Sequence, residues 1–457
     1  MSFSRGFKLF GKKDYREAAP YLYDFVRQNS IDVADHDWAE FFLGVSLYKS
    51  GFSHAAVDTL SYLIVRKPNP KIVSYSLEIL EEISRTTPFD RDLLIFTVIC
   101  DQEYGTIDKK LGDFINFYQG VYDWENGFLE WGDTHFKKIT PKTYYYYKYL
   151  YHNALYKIYQ DRLDESIIIL NEILESEKPI DDLKNEALKT LARLAYEKGE
   201  FKKADTYYQK INKPIFDQAE NLLERGWGYY RLGKLEEGLG LLYAFNAPSF
   251  KEYFTPEFYI LKSFIYKDVC HYRRALSVVN EFKTHYKTSL KSINARGKPL
   301  DDPPLLLVLL TKKDINLTWR FLRLLEEEKK EAKKLQNKIL VSYLEKIYNL
   351  EIEKIVKTFK NQIEKDYEKT ANELLKYEEE ANLLEYEIGL DIYKMVGDYQ
   401  LDENPSKKDE RKIELKKVVI YPFQEEFWND ELTNYKVILP SKCSKPEQWD
   451  MFFNEKK

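Results

Sequence analysis

The side chains best suited to chemistry are few: three Cys, six His and three Met among 457 residues. His36 stands between Asp35 and Asp37. An imidazole flanked by carboxylates could ligate a metal, but such a site needs a further ligand at a regular spacing. The neighbouring sequence supplies none, so the trio reads as a solvated capping cluster ahead of a helix that starts near Trp38. Cys270 beside His271 could suggest an activated thiolate. A nucleophile and its base must face each other, which adjacent turn residues do not, so Cys270 reads as a packed turn residue. Acidic pairs such as Glu425/Glu426 occur throughout and single out no acid–base couple. Phosphate-cradling, zinc-hydrolase and nucleophile-elbow motifs are absent from the sequence. The expectation is a non-enzymatic chain with no catalytic residue, no metal site and no cofactor.

What the chain has in surplus is aromatic: 37 Tyr, 27 Phe and 7 Trp. Rings in such number argue for repeated packing contacts or a wide binding surface. Charge is balanced, with 70 basic against 75 acidic residues and a net of −5. No region carries the basic excess that a phosphate backbone selects, so nucleic acid is not an expected partner. No apolar run is long enough to span a bilayer. Three Cys at 100, 270 and 443 form no CxxC and cannot all pair, so no disulfide framework is expected.

An internal repeat positions these aromatics. A small residue followed twelve positions later by another recurs seven times: Gly6/Ala18, Gly44/Ala56, Gly120/Gly132, Ala154/Ser166, Ala192/Ala204, Gly226/Gly238 and Ser263/Ala275. Four residues past each second member lies a large one: Leu22, Leu60, Phe136, Leu170, Tyr208, Leu242 or Val279. Between the members sits a turn position held by Lys13, Gly51, Gly127, Asp161, Gly199, Gly233 or Cys270. Small residues on two helices let their backbones approach, and a turn glycine tolerates the left-handed conformation that ends the first helix. The bulky residue that usually follows begins the second helix and is expected to plug the hairpin. The second small residues are spaced 38, 76, 34, 38, 34 and 37 apart. The interval of 76 is two of 38, which predicts one divergent hairpin with helices over 72–84 and 89–101.

This pattern resembles the tetratricopeptide repeat, a helix–turn–helix unit of about 34 residues. Gly44, Gly51, Ala56, Leu60 and Pro68 match its small, turn, small, bulky and proline positions, and Gly226, Tyr229, Gly233, Gly238 and Leu242 do similarly. The resemblance covers about residues 1–290; Lys13, Asp161 and Cys270 depart from the turn glycine. It implies an all-α solenoid, a right-handed superhelix of about eight hairpins whose first helices line a concave groove. The groove positions it implies are Phe41, Tyr48, Phe117, Trp124, Tyr151, Arg193, Tyr196, Trp227, Tyr230, Arg231, Phe264 and Lys267. Aromatic anchors edged by charge suit a protein or peptide partner. Several of the rings are equally well placed to pack between repeats. One branch of the family grips C-terminal carboxylates through an Asn in the groove; no Asn occupies that position here, which disfavours that role. Trp124 and Trp131 lie seven apart and could share a helix face, where core packing is favoured over ligand stacking.

After a connector over 291–315, residues 316–400 have a long-helix or coiled-coil composition, with 36 charged residues in the 90 of 311–400. The pattern fits one helix or a folded-back hairpin, and its apolar stripe would be buried by self-association or by docking onto the repeats. Residues 401–457 form a polar linker and tail, in which a short β-hairpin through 415–439 is expected. The segment YPFQEEFWNDEL at 421–432 resembles the C-terminal ends of large tetratricopeptide proteins of bacterial gliding and envelope complexes. That likeness implies an assembly subunit. The chain as given has no apolar signal core and reads as cytoplasmic without membrane insertion. Met1 already stands inside the first repeat unit, so a late start and a missing upstream signal peptide are also expected; the location would then be the periplasm or envelope.

Overall fold

The turns set the architecture. In the computed structural model all seven turn positions adopt positive φ: Lys13 (65°), Gly51 (87°), Gly127 (84°), Asp161 (59°), Gly199 (77°), Gly233 (69°) and Cys270 (60°). Each is followed by a residue whose N–H reaches back to a carbonyl five positions earlier. Examples are Phe52 N to Leu47 O (2.9 Å), Arg162 N to Lys157 O (2.9 Å) and His271 N to Tyr266 O (2.8 Å). This bond satisfies a carbonyl orphaned at the helix end. The three non-glycine turns adopt the same geometry, so hairpin packing outweighs their steric penalty of roughly 1–2 kcal/mol.

The residues described are 2–99, 104, 107–177, 179–212, 219–247, 250, 254–295, 297–299, 302–401 and 436–443. Among them the structure is all-helical, with helices in hairpin-like succession and no strand. The pairs are α1 (Ser2–Gly11) with α2 (Tyr15–Gln28), α3 (His36–Lys49) with α4 (Ser53–Val65), and α5 (Pro70–Thr86) with the short α6 (Arg91–Leu94). A π-turn, Ile95–Ile99, prolongs α6. Then come α7 (Lys109–Glu125) with α8 (Leu129–Phe136), α9 (Tyr144–Tyr159) with α10 (Leu163–Leu174), and α11 (Asp181–Glu197) with α12 (Phe201–Gln209). The series ends with α13 (Ala219–Arg231), α14 (Leu235–Leu242), α15 (Pro256–Asp268) and α16 (Tyr272–His285). The divergent hairpin falls where the spacing places it, with Asn69 capping α5 through Lys71 N (2.9 Å) and Asp90 capping α6 through Asp92 N (3.0 Å).

Small residues do what the repeat requires. A Cβ added to Gly44 would stand 2.5 Å from Leu60, and one added to Gly120 would stand 2.6 Å from Phe136. The plug of each hairpin is therefore the large residue four past the second small one. The residue just after the turn does not always serve: Leu129 is exposed. Trp124 and Trp131 share no face, because the turn at Gly127 puts them on α7 and α8.

Beyond the hairpins lie α17 (Lys287–Asn294), α18 (Pro303–Thr311), α19 (Lys313–Ala332) and α20 (Lys338–Leu401). The segment 316–400 is thus interrupted. Asn337 caps α20, accepting from Ile339 N (3.0 Å) and Leu340 N (2.9 Å). The start of α20 folds back along α19, with Trp319 stacked on Phe359 (5.5 Å) and Lys333 beside Glu345 (3.6 Å). No described helix is long and apolar enough to cross a membrane.

The chain forms two compact units that do not follow sequence order: residues 1–183 with 312–362, and 184–311 with 363–457. In the first, Phe321, Leu325, Leu344 and Tyr348 enter the core of the repeats, burying the apolar stripe. In the second, Ile388 of α20 packs with Cys270, Tyr272 and Ala275. Of the expected β-hairpin, residues 436–439 are non-helical coil without strand pairing; its remainder lies outside the described residues.

Candidate functional site

The groove positions divide according to what neighbouring helices bring to them. In the first unit, Phe41 on α3 is buried against Trp38 (5.9 Å) and Tyr75 of α5 (6.0 Å). Phe117 on α7 is buried against Tyr145 of α9 (5.6 Å), with the Lys148 ammonium 4.7 Å above its ring. Burial, and then the nearby Arg85 charge, lower the Lys148 amine to about 8. Trp124 closes its own hairpin, lying on Phe136 (4.9 Å) and Tyr156 (4.9 Å) and donating to Asp133 (3.1 Å). Tyr48 donates to Glu82 of α5 (3.0 Å), and Tyr151 is half-buried. Nearby, the buried Glu81 carboxylate meets Lys110 (2.9 Å), Arg85 (3.5 Å) and the Tyr145 hydroxyl (3.2 Å). These first helices are tied together by charge and rings.

In the second unit three rings stay half-exposed and adjacent. Trp227 and Tyr230 on α13 are 5.7 Å apart, and Phe264 on α15 lies 6.3 and 6.4 Å from them. Tyr230 donates to Asp268 (2.8 Å); burial, aided by that bond, pushes the phenol up to about 12. At the edge, Arg193 on α11 forks onto Glu224 (2.6 Å) and Glu220 (2.5 Å). Tyr196 packs on Phe201 (5.0 Å), and Arg231 is exposed at the end of α13. Lys267 is ion-paired with Glu387 of α20 (2.5 Å). The patch offers apolar faces and polar rims, a chemistry of recognition rather than bond-making.

Two expectations are corrected. His36 is buried, not solvated: its Nε2 lies 3.2 Å from Val26 O, and its Nδ1 faces Asp37 (4.0 Å) and Glu40 (3.9 Å). These three could hold a metal ion by spacing. The Arg66 guanidinium already lies against both carboxylates. Glu40, one helical turn on from His36, is the fourth member that reading forward from His36 at a step of four would have found.

Cys270 is not merely a packed turn residue. It is bonded to Cys443, 173 residues away, with Cα atoms 5.0 Å apart. Residues 436–443 form a strap on α14 and the α15–α16 turn. Val437 N donates to Glu236 O (3.1 Å), Leu439 N to Glu236 Oε1 (3.0 Å) and Lys442 N to Val269 O (3.0 Å). His271 Nε2 reaches Pro440 O (2.8 Å). A thiol where the repeat expects glycine was the one available signal.

Sequence reasoning also missed a buried carboxyl that joins α19 to the repeats. Glu328 accepts from Ser53 N (2.8 Å) and His54 N (3.1 Å) at the start of α4 and from the Tyr348 hydroxyl of α20 (2.8 Å). Burial raises its carboxyl to about 7, the three donors opposing that rise. Nothing local marks Glu328 among its charged neighbours in α19.

No known family model matches the chain, and no curated protein is similar to it.

Proposed function

We propose that the protein is a non-enzymatic scaffold of tetratricopeptide type that holds a peptide or partner helix against the first helices of its hairpins. The observation that carries this reading is the half-exposed Trp227–Tyr230–Phe264 patch, edged by Arg193, Arg231 and Asp268. Burying such rings stabilises a complex by about 1.5–3 kcal/mol each, and the charged edge sets register. Tyr196 on α11 of the same unit extends the same chemistry. In the test, Trp227→Ala and Tyr230→Ala are compared with wild type in quantitative cross-linked capture. The expected result is loss of capture with far-UV helicity intact; unchanged yield from both variants overturns the reading.

A second reading is a structural component of a bacterial envelope, motility or secretion complex that contacts partners through α20 and the tail. The Cys270–Cys443 bond favours it, because such bonds persist in oxidising compartments. Alkylating intact cells before lysis distinguishes the two locations: paired cysteines support the envelope, free thiols the cytoplasm. Deleting 401–457 separates the contact surfaces: partner loss with normal behaviour of the patch variants favours the tail.

A further inference from the structure

A cleft of about 640 Å³ opens in the first unit among α4, the α6 segment and the start of α20. One face of α4 contributes His54, Asp58 and Tyr62, spaced four apart; α20 contributes Tyr343, Ile347, Leu350 and Glu351; Leu93 and Phe96 form the third wall. Its rim is apolar and open, with Tyr62, Phe96 and Leu350 exposed to 53%, 59% and 62%. Single exposed apolar residues are ordinary, but three around one depression are a feature of binding sites.

Behind the rim the charge is unbalanced. Four acids, Asp58, Asp90, Asp92 and Glu351, face two cations, Lys346 and Lys354, while burial lowers His54 to about 4 and keeps it neutral. Asp90 is satisfied, capping α6 and pairing with Lys354 at 2.5 Å. Lys346 stands on the exposed side of α20. Asp58 has neither an ion pair nor a hydrogen bond among the described residues, and burial pushes its carboxyl up to about 6. Glu351 is raised to about 7, first by burial and then by Asp90; its Oε1 is buried without a hydrogen bond and lies 3.7 Å from the Lys354 ammonium. His54 is 3% exposed, and its Nδ1 also lacks a partner. Buried polar atoms without a hydrogen bond, here His54 Nδ1 and Glu351 Oε1, are a cost to the fold, and sites are where such costs collect. A single metal ion does not answer them, because the ligand atoms of His54, Asp58 and Glu351 do not gather as closely as those of His36, Asp37 and Glu40 do.

We propose that this cleft binds a primary ammonium carried on an aliphatic stem, the chemistry shared by a free alkylamine and a lysine side chain. The stem lies against Tyr62, Phe96 and Leu350, and the ammonium donates to Asp58 and Glu351, with the His54 nitrogen as a further polar neighbour. An ammonium has three donors and no acceptor, which matches a cleft where the Asp58 carboxylate is unpaired and Glu351 Oε1 lacks a hydrogen bond. Ligand and proton compete for the same carboxylates, so binding strengthens as pH rises through 6 to 7.

The test is calorimetry on the full chain at about pH 8, above the raised Asp58 and Glu351 carboxyls, using n-pentylammonium, 1-pentanol, and Ac-Gly-Lys-Gly-amide beside its norleucine counterpart. The ammonium is expected to bind at least about tenfold more tightly than the alcohol, and Asp58→Asn to remove that advantage. Because Asp58 is unpaired, Asp58→Asn should keep or raise Tm; Glu351→Gln gives the second reading should either variant fold poorly. Preference for the lysine peptide over the norleucine peptide assigns a side chain as the source, whereas binding of the free amine alone assigns a small molecule; both support the site. Equal binding of ammonium and alcohol, or unchanged affinity in both variants, overturns it.

Discussion

Phe117 in the first unit and Phe264 in the second occupy the same kind of position on a first helix, yet one is buried and the other is partly exposed. Phe117 is enclosed because α9 brings Tyr145 and Lys148 over it. Phe264 neighbours Trp227 and Tyr230, with ring centroids 6.3 and 6.4 Å away, and the three are each partly exposed. A repeat position therefore specifies a direction, and the neighbouring helix decides burial. The long segment, by contrast, is anchored by buried side chains in both units. In the first unit α19 and α20 are anchored by buried rings and Glu328. In the second, α20 buries Ile363, Tyr367, Leu374, Ala381, Leu384 and Ile388 and adds the ion pairs Lys267–Glu387 and Lys283–Glu385.

The largest expected effect tests the first anchor. Glu328→Ala leaves two backbone N–H groups and the Tyr348 hydroxyl without their acceptor, and should cost about 3–5 kcal/mol in denaturant unfolding. A loss below about 1 kcal/mol, the scale of an exposed pair, would remove Glu328 as an anchor of the first unit.

A smaller effect concerns pH. Glu328 is raised in the folded state to about 7 from 4.5, so between those values the folded state binds more protons than the unfolded one. Its contribution to stability is then fully present below pH 4.5 and declines as pH rises to 7, by up to about 3 kcal/mol. Asp58 and Glu351 slope the same way. Glu328→Gln should flatten the profile between pH 4.5 and 7, and an unchanged slope in that variant would remove Glu328 as its source.

Smaller again is the test of hairpin closeness. Gly44→Val forces Leu60 aside and should lower stability by about 1–3 kcal/mol. Gly228→Ala, where a Cβ meets nothing within 4 Å, should be neutral or gain about 0.5 kcal/mol or more. Equal losses at the two positions would mean that helix propensity, rather than approach, explains the small residues.

Much of this was legible in the sequence because a local rule wrote it. The seven turns, including Lys13, Asp161 and Cys270, follow from small-residue spacing alone, and the divergent hairpin follows from its doubled interval. What stayed hidden depends on contacts between distant segments. Asn337 as a cap is visible in retrospect, but folding α20 back needed the ring pair Trp319–Phe359. The Cys270–Cys443 bond spans 173 residues, so neither thiol's neighbours announce the other. Phe41 and Phe117 were indistinguishable from Trp227 by pattern, since only the adjacent helix separates core from patch. His36 looked solvated because its flanking carboxylates are polar, yet Arg66 neutralises its site from another helix.

The central claim is that the second unit's open rings recognise a partner while the first unit's rings hold the fold. The most direct measurement is cross-linked capture by the Trp227→Ala/Phe264→Ala double variant, made at matched concentration after its Tm has been compared with wild type. A fall in yield of about tenfold or more at a Tm within a few degrees is the predicted result. Undiminished capture by a folded double variant would contradict it.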